Sequence, residues 1–296
     1  MTDVATKTLS AAFDGPVLVH SDIRGLLAQL DIDVRKAISD LGKNDDLMNR
    51  LAAQLQEMVG GRSLWIPAYN YDYCKTGVFE VRATPAQVGA LPEFFRTKQA
   101  EWRSDTPVFS HSGTGEAPES IPGEVVDPFG ERSEFHQLCQ RRGLLLFYGV
   151  PFSPTLTHYV ERTSSSEGPL YRYDKLFKGI VRYSDTEIRT VTLNYHVLPR
   201  GVAVRYEMPR LKAELLTAGV MKSLPAQFGR SYVVSASELT AFWHERLARD
   251  PFYLLDPSCR PDLERLIGKK GGRLDIADFD DCHFDSTDMT PSKTVV

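Results

Sequence analysis

A histidine and a glutamate three residues apart, His158 and Glu161, are the pair in this sequence best spaced for moving a proton. On a helix, residues i and i+3 sit on one side, with Cβ atoms about 5–6 Å apart. A carboxylate beside an imidazole orients the ring and raises its basicity, which is what a general base needs. The plain alternative is a surface pair, because H-x-x-E is a common spacing. A second candidate is His20-Ser21-Asp22, where backbone N–H groups at a strand-to-helix turn make an anion site. There the alternative is a simple helix cap by Ser21 or Asp22. Thr84 to Gly89 (TPAQVG) reads as another capped helix start, with Thr84 as cap and Pro85 in the first turn. Arg103, Ser104 and Ser110 set a cation among hydroxyls in a loop. Arg172 and Lys175 alternate with aromatics in YRYDKLFK, residues 171–178. That composition suits a diphosphate and a stacked base, or else an ordinary exposed strand. Asn70, Tyr71 and Asp72 are candidates for contact with a sugar.

The elements that must position these residues follow from hydrophobic patterning. Pro16–His20 (PVLVH) reads as a buried strand feeding a helix, and residues 23–59 as two helical pieces. Ser63–Tyr69 reads as the next strand and Gly77–Arg82 as a further extended piece. A helix is expected from Thr84 through Phe95, broken or kinked at Pro92. Residues 104–124 read as a long loop, with Val108-Phe109 paired in a sheet, and Glu131–Arg142 as a helix. Gly143–Val150 (GLLLFYGV) has the continuous apolar character of an interior parallel strand. A short helix, capped by Thr155 or Thr157, then carries His158. Residues 163–210 read as β-rich, with VTLNYHVLP and VAVRYEMP flanking a turn, and Leu211–Ala218 and Ser237–Arg249 as helices. The alternation predicts an α/β fold, an αβα sandwich with a central mostly parallel sheet and an additional β-rich and helical segment. Residues 1–15 read as a loose arm, 16–274 as one domain, and 275–296 as a polar, flexible tail.

The chain has 296 residues, enough for one large domain. Lys and Arg number 35 against 39 Asp and Glu, and the net charge of −4 excludes broad nucleic-acid binding. Four cysteines without close spacing give neither a zinc site nor a disulfide framework. No apolar run approaches the roughly 18 residues of a membrane span, and the first residues lack the apolar centre of a signal peptide. A cytoplasmic protein, without metal and without a membrane or nucleic-acid partner, is expected. There is no G-x-S-x-G elbow, Walker A, G-x-G-x-x-G or H-E-x-x-H.

Taken in order, the stretches VHSD, WIPAYNYDYCKTGVFEVRATPAQVGALPEFFR, RSDTPVFS, DPFGERSEFHQL and GLLLFYGVPFSPTLTHYVE resemble the aminoglycoside 3-N-acetyltransferase family over roughly residues 16–165. The resemblance implies an N-acyltransferase that uses acetyl-CoA or another short acyl-CoA, with an αβα fold that is not the GNAT fold. The family's H-L-A-E-type motif is matched by His158-Tyr159-Val160-Glu161, which assigns catalysis to His158 and Glu161. Its H-[SA]-S-L motif is matched by His20-Ser21-Asp22-Ile23, with Asp22 where a hydroxyl is usual. Its R-S-x-H-P-x-x-S motif is matched by Arg103 through Ser110, with Thr106 in place of the histidine. The implied CoA contacts are His20, Ser21, Thr84, Gly89, Arg103, Ser104 and Ser110, with Ser104 or Ser110 as oxyanion donors. Substrate contacts are expected from Asn70, Tyr71, Asp72, Arg172 and Lys175. The resemblance is nearest in look to family members that acylate an amino sugar in polysaccharide or natural-product biosynthesis, and the basic, aromatic 171–178 stretch favours a nucleotide-linked amino sugar as acceptor. The alternatives are an aminoglycoside, hence antibiotic resistance, and a non-catalytic CoA-binding or interaction protein. A homodimer is left open.

Overall fold

The computed structural model describes residues 14–29, 45–224, 231–279 and 281–286. The first half of the described chain forms β1 (Val17–Ser21), α1 (Ile23–Gln29), α2 (Asp45–Val59), β2 (Leu64–Pro67), α3 (Tyr73–Thr76), β3 (Val78–Glu80), α4 (Ala90–Lys98), β4 (Trp102–Arg103), β5 (His111–Thr114), β6 (Val125–Val126) and α5 (Glu134–Gln140). The second half forms β7 (Leu144–Tyr148), α6 (Leu156–Thr163), β8 (Tyr173–Arg182), β9 (Ile188–Val197), α7 (Met208–Thr217), β10 (Met221–Ser223), β11 (Tyr232–Ser235), α8 (Ala236–Leu247), α9 (Arg260–Lys269) and β12 (Phe284–Asp285). The fold is mixed α/β with mixed sheets.

The larger sheet has the order β10-β11-β7-β1-β2-β5-β4. Its centre, β7-β1-β2, is parallel, in the register Val17↔Leu144 and Leu18↔Trp65. Alternation along these strands feeds two cores. Val17, Val19, Leu64, Ile66, Leu144 and Leu146 share one with Met48, Leu51 and Leu55 of α2. Leu18, Trp65, Leu145 and Phe147 share the other with Phe135 of α5, Val160 of α6 and Trp243 of α8. The strands therefore read as unbroken apolar runs because both faces are covered. The sheet as a whole is not mostly parallel. β5 runs antiparallel to β2 and β4, and β11 antiparallel to β7 and β10. Between β4 and β5 the reason is local: the short 104–110 loop turns the chain back on itself, where a parallel return would need a long crossover.

The smaller sheet is built on the β8–β9 hairpin, ten residues on each strand, with β6 on β9 and with β3 and β12 along β8. Three further expectations shift here. Val108 adopts a positive φ of 67° inside a turn, and sheet pairing starts only at His111. VAVRYEMP forms no strand beyond one bridge between Tyr206 and Leu255. The Thr84 start also fails. Thr84 Oγ accepts from the Glu80 amide, and the helix begins at Ala90. Pro92 thus falls in the first turn, where its missing N–H would have no intrahelical partner, and it introduces no kink. Of the expected flexible tail, residues 275–279 and 281–286 pack on the domain. Asp275 and Asp278 form a capping box, and Asp281 accepts from Tyr173 and Lys175. The expected loose arm lies outside the described residues except for Asp14 and Gly15.

The exit from β7 is the step that places His158. Gly149 takes a φ of 65°, and a Cβ on Gly25 of α1 would fall 1.7 Å from its carbonyl oxygen. The two glycines let α1 and the β7 exit meet backbone to backbone. Pro154 then ends the loop, and its carbonyl accepts from the Thr157 hydroxyl as α6 starts at Leu156.

Candidate functional site

His158 sits in the first turn of α6, half-buried, with its ring edge-on to Phe129 and Tyr206. Its Nδ1 lies 3.2 Å from Glu161 Oε2. Glu161 is 1% exposed, and the surrounding groups are arranged around its charge. The Tyr171 and Tyr206 hydroxyls both donate to Oε1, at 2.6 and 2.7 Å. Arg172 Nε is 3.0 Å from Oε2, an ion-pair distance, although its N–H finds no hydrogen-bond acceptor. Arg172 also donates to the His196 carbonyl at 2.8 Å and to the Tyr206 oxygen at 2.5 Å. The site is therefore a five-residue assembly drawn from α6, the segment before β8 and the segment after β9.

The electrostatics follow from this packing. Burial would raise the Glu161 carboxyl, but Arg172, then His158 and Tyr171, outweigh it and bring the group to about 2. Burial lowers His158 below its ordinary 6.5, with Arg172 and His196 adding to the shift and Glu161 opposing it. The ring is therefore neutral at pH 7. Its Nδ1 faces an ionised carboxylate as well as an Arg172 N–H at 3.2 Å, and it cannot donate to one while accepting from the other. Among the described residues Glu161 Oε2 has no other hydrogen-bond donor, since the Arg172 Nε–H does not reach it, so the network assigns the proton to Nδ1 and the ring's lone pair to Nε2. This is the arrangement of a general base.

The other expected site residues divide into two groups. Arg103 is held inward. It donates to the carbonyls of Ala68, Val81 and Thr84 and to Ser110 Oγ, and burial pulls its pKa down to about 10. Ser110 is fully buried and donates to the Ala68 carbonyl, so it cannot be an oxyanion donor. Ser104 Oγ accepts from the His111 amide. Asn70 is 2% exposed and ties the Pro85 carbonyl to the Asp72 amide. Arg172 is the counter-ion of Glu161, and Lys175 pairs with Asp281 at 2.5 Å. Neither is placed to hold a substrate, because each is matched to a buried carboxylate. His20, Ser21, Gly89, Tyr71 and Asp72 remain partly or fully exposed. Asp22 caps α1 by accepting from the Arg24 amide, as the plain alternative had it.

A consequence for Arg103 can be measured. Arg103→Ala leaves three carbonyls without their charged donor, each worth roughly 1–3 kcal/mol. Urea unfolding should show a stability loss of about 3 kcal/mol or more.

Sequence reasoning missed Tyr171 and Tyr206 as partners of Glu161. It also missed a second histidine–carboxylate pair. His111 Nδ1 lies 2.5 Å from Glu134 Oε2, with Tyr69 Oη 3.1 Å from Nε2, all three buried. Glu134 opens α5, where the helix dipole favours its charge. At 23 residues apart, the two leave no local pattern to find.

Comparison with known proteins adds the following. A sequence-family model described as aminoglycoside 3-N-acetyltransferase matches residues 37–248. No curated protein sequence matches the chain. Among solved structures, AAC-IIIb in binary complex with CoASH is similar at 22% identity and a TM-score of 0.61, covering 84% of this chain and 96% of its own. The aminoglycoside acetyltransferase AAC(3)-Xa gives 17% identity, a TM-score of 0.61, and coverage of 86% and 93%. AAC-VIa bound to sisomicin gives 19% identity, a TM-score of 0.60, and coverage of 84% and 97%. Likeness at this level of identity establishes a shared fold.

Proposed function

The chain belongs to the aminoglycoside 3-N-acetyltransferase family, and from that premise we propose that it transfers an acetyl group from acetyl-CoA to a primary amine of an aminoglycoside. The observation that carries the reading is the His158–Glu161 pair, with Nδ1 against the carboxylate and a ring that burial keeps neutral. In the reaction, His158 Nε2 takes a proton from the amine as its nitrogen bonds to the thioester carbonyl carbon. Glu161 stabilises the imidazolium that forms. The imidazolium returns that proton to the departing sulfur as the C–S bond breaks, so an amide and a free thiol result.

Acetyl-CoA supplies the activated acyl group. The residues that fit it best are His20, Ser21 and Gly89. His20 Nε2 has no hydrogen-bond partner, and burial, aided by nearby His111, lowers the ring to about 4, so His20 stays neutral. The three lie at the carboxyl end of β1 and ahead of α4, the edge of an α/β sheet where ligands bind. We read the layering as αβα, distinct from the GNAT fold, with an acyltransferase domain that starts near residue 16 and includes β12.

The aminoglycoside is preferred over a nucleotide-linked amino sugar for a specific reason. Arg172 and Lys175, the residues that would hold a diphosphate, are spent on Glu161 and Asp281. By contrast, Asp72 and Tyr71 are exposed, and a carboxylate beside an aromatic face suits an ammonium-bearing sugar. Acetylation would remove one of the drug's positive charges and so underlie resistance. The test is free-thiol release from acetyl-CoA with aminoglycosides and with nucleotide amino sugars, read by thiol reagent and product mass. Turnover with an aminoglycoside supports the reading, and turnover confined to nucleotide sugars overturns the acceptor.

The pH dependence follows from the same ring. Activity needs neutral His158, so it should fall as pH drops through a value below 6.5, measured as the acidic limb of kcat.

A further inference from the structure

Thr155 stands just ahead of α6 and does not cap it. Its side chain makes no capping hydrogen bond, and the Thr157 hydroxyl takes the Pro154 carbonyl instead. With φ −62° and ψ −24°, Thr155 is already helical, and its carbonyl accepts from the His158 amide at 3.0 Å. Thr155 and His158 are thus three apart on one side of the helix, with Cβ atoms about 5–6 Å apart. Leu156, Thr157, Tyr159, Val160 and Glu161 are buried, whereas Thr155 and His158 are half-buried. This turn therefore presents a ligand with two side chains, the imidazole and the Thr155 hydroxyl. We propose that Thr155 is a catalytic residue for acetyl transfer, whose hydroxyl donates a hydrogen bond to the thioester carbonyl oxygen while His158 acts on the amine.

Acyl transfer needs such a donor. As the amine nitrogen bonds to the carbonyl carbon, the C=O π pair moves onto oxygen, and it returns when the C–S bond breaks. A donor at that oxygen is felt most while the charge is there, and no proton leaves Thr155. An amine about 3 Å from the His158 ring puts the carbonyl oxygen two bonds further on, within reach of a side chain on the same turn. The other hydroxyls around His158 are committed: Tyr171 and Tyr206 to Glu161, Thr157 to the Pro154 carbonyl and Thr163 to the Tyr159 carbonyl. Ser110 is buried against the Ala68 carbonyl. Ser104 adjoins β4, four strand positions from β7 and so roughly 19 Å away at the usual spacing. The Tyr69 hydroxyl faces Thr155 as a hydrogen-bond partner and lies 3.1 Å from His111 Nε2. A hydroxyl has one hydrogen, and an oxyanion is a stronger acceptor than a phenol oxygen, so Thr155 turns to the oxyanion as charge forms. Tyr69 keeps His111 as its partner throughout.

The role rests on the acetyl-transfer reading, and the experiment separates the two. Infrared spectroscopy of acetyl-CoA labelled with carbon-13 at the thioester carbonyl reports hydrogen bonding to that oxygen without any turnover. In Thr155→Val, which keeps the shape and removes the hydroxyl, the bound carbonyl band should move to higher frequency than with the unsubstituted protein. In the same variant kcat should fall about 100- to 1,000-fold, the usual cost of one oxyanion donor, with KM for acetyl-CoA within about twofold. Thr155→Ser keeps a hydroxyl and should keep both the low band and most of the turnover. An unmoved band in Thr155→Val, or turnover at the unsubstituted rate, overturns the proposal. So does a crystal structure of the unsubstituted protein with acetyl-CoA in which the Thr155 oxygen lies beyond hydrogen-bond reach of the carbonyl, a result that needs no variant to fold. Should the unsubstituted protein acetylate no aminoglycoside while the band still answers to Thr155, the acceptor reading falls and the role of Thr155 stands.

Discussion

His158→Ala lowers kcat for acetyl transfer by about 100- to 10,000-fold, the span over which loss of a general base is felt. The substitution removes a half-buried ring and leaves Glu161 with Tyr171, Tyr206 and Arg172 as partners. Stability should therefore change little in comparison with rate. KM for acetyl-CoA should hold, because the residues assigned to it lie on β1 and ahead of α4. Steady-state thiol release with purified variant and an aminoglycoside acceptor measures kcat and KM, and urea unfolding measures the stability. Full turnover by the alanine variant contradicts the assignment.

Glu161→Gln has the second large effect, and it falls on stability as well as rate. The amide keeps the shape but loses the charge, and Arg172, 5% exposed, is left without its counter-ion. Breaking one side of a buried pair costs about 3–5 kcal/mol, which chemical unfolding at pH 7 would show. The pH dependence has a definite sign. The folded carboxyl titrates near 2, against an ordinary 4.5. Its contribution is complete above about 4.5 and is lost as pH falls toward 2. The gap between native and variant should be constant from pH 6 to 8 and narrow below 4.5. A gap that widens in acid contradicts the pairing.

How far the site was legible depends on whether its parts are local. His158 and Glu161 share one helical turn, so spacing alone brings them together. The order of motifs from VHSD to THYVE tied them to a family. Tyr171 and Tyr206 stand 10 and 45 residues from Glu161 and reach it only through tertiary packing. Composition misled at Arg103, Arg172 and Lys175. A cation near hydroxyls or aromatics looks like a ligand site, yet each of these answers an internal carbonyl or carboxylate. The fold shows the same division. Apolar runs located β1, β2 and β7, because burial on both faces leaves its mark in residue type. Strand direction leaves none, which is why the antiparallel flanks at β5 and β11 went unread. Pro92 marked the right helix but the wrong place in it, since a first-turn proline and an interior one differ only in where the helix begins.

The most direct test is a crystal structure of the protein with CoA and an aminoglycoside together. The reactive amine nitrogen should lie within about 2.6–3.2 Å of His158 Nε2, with the CoA sulfur placed where the same nitrogen can reach it once protonated. An amine bound beyond reach of that nitrogen, or a CoA sulfur at another edge of the sheet, would contradict the mechanism.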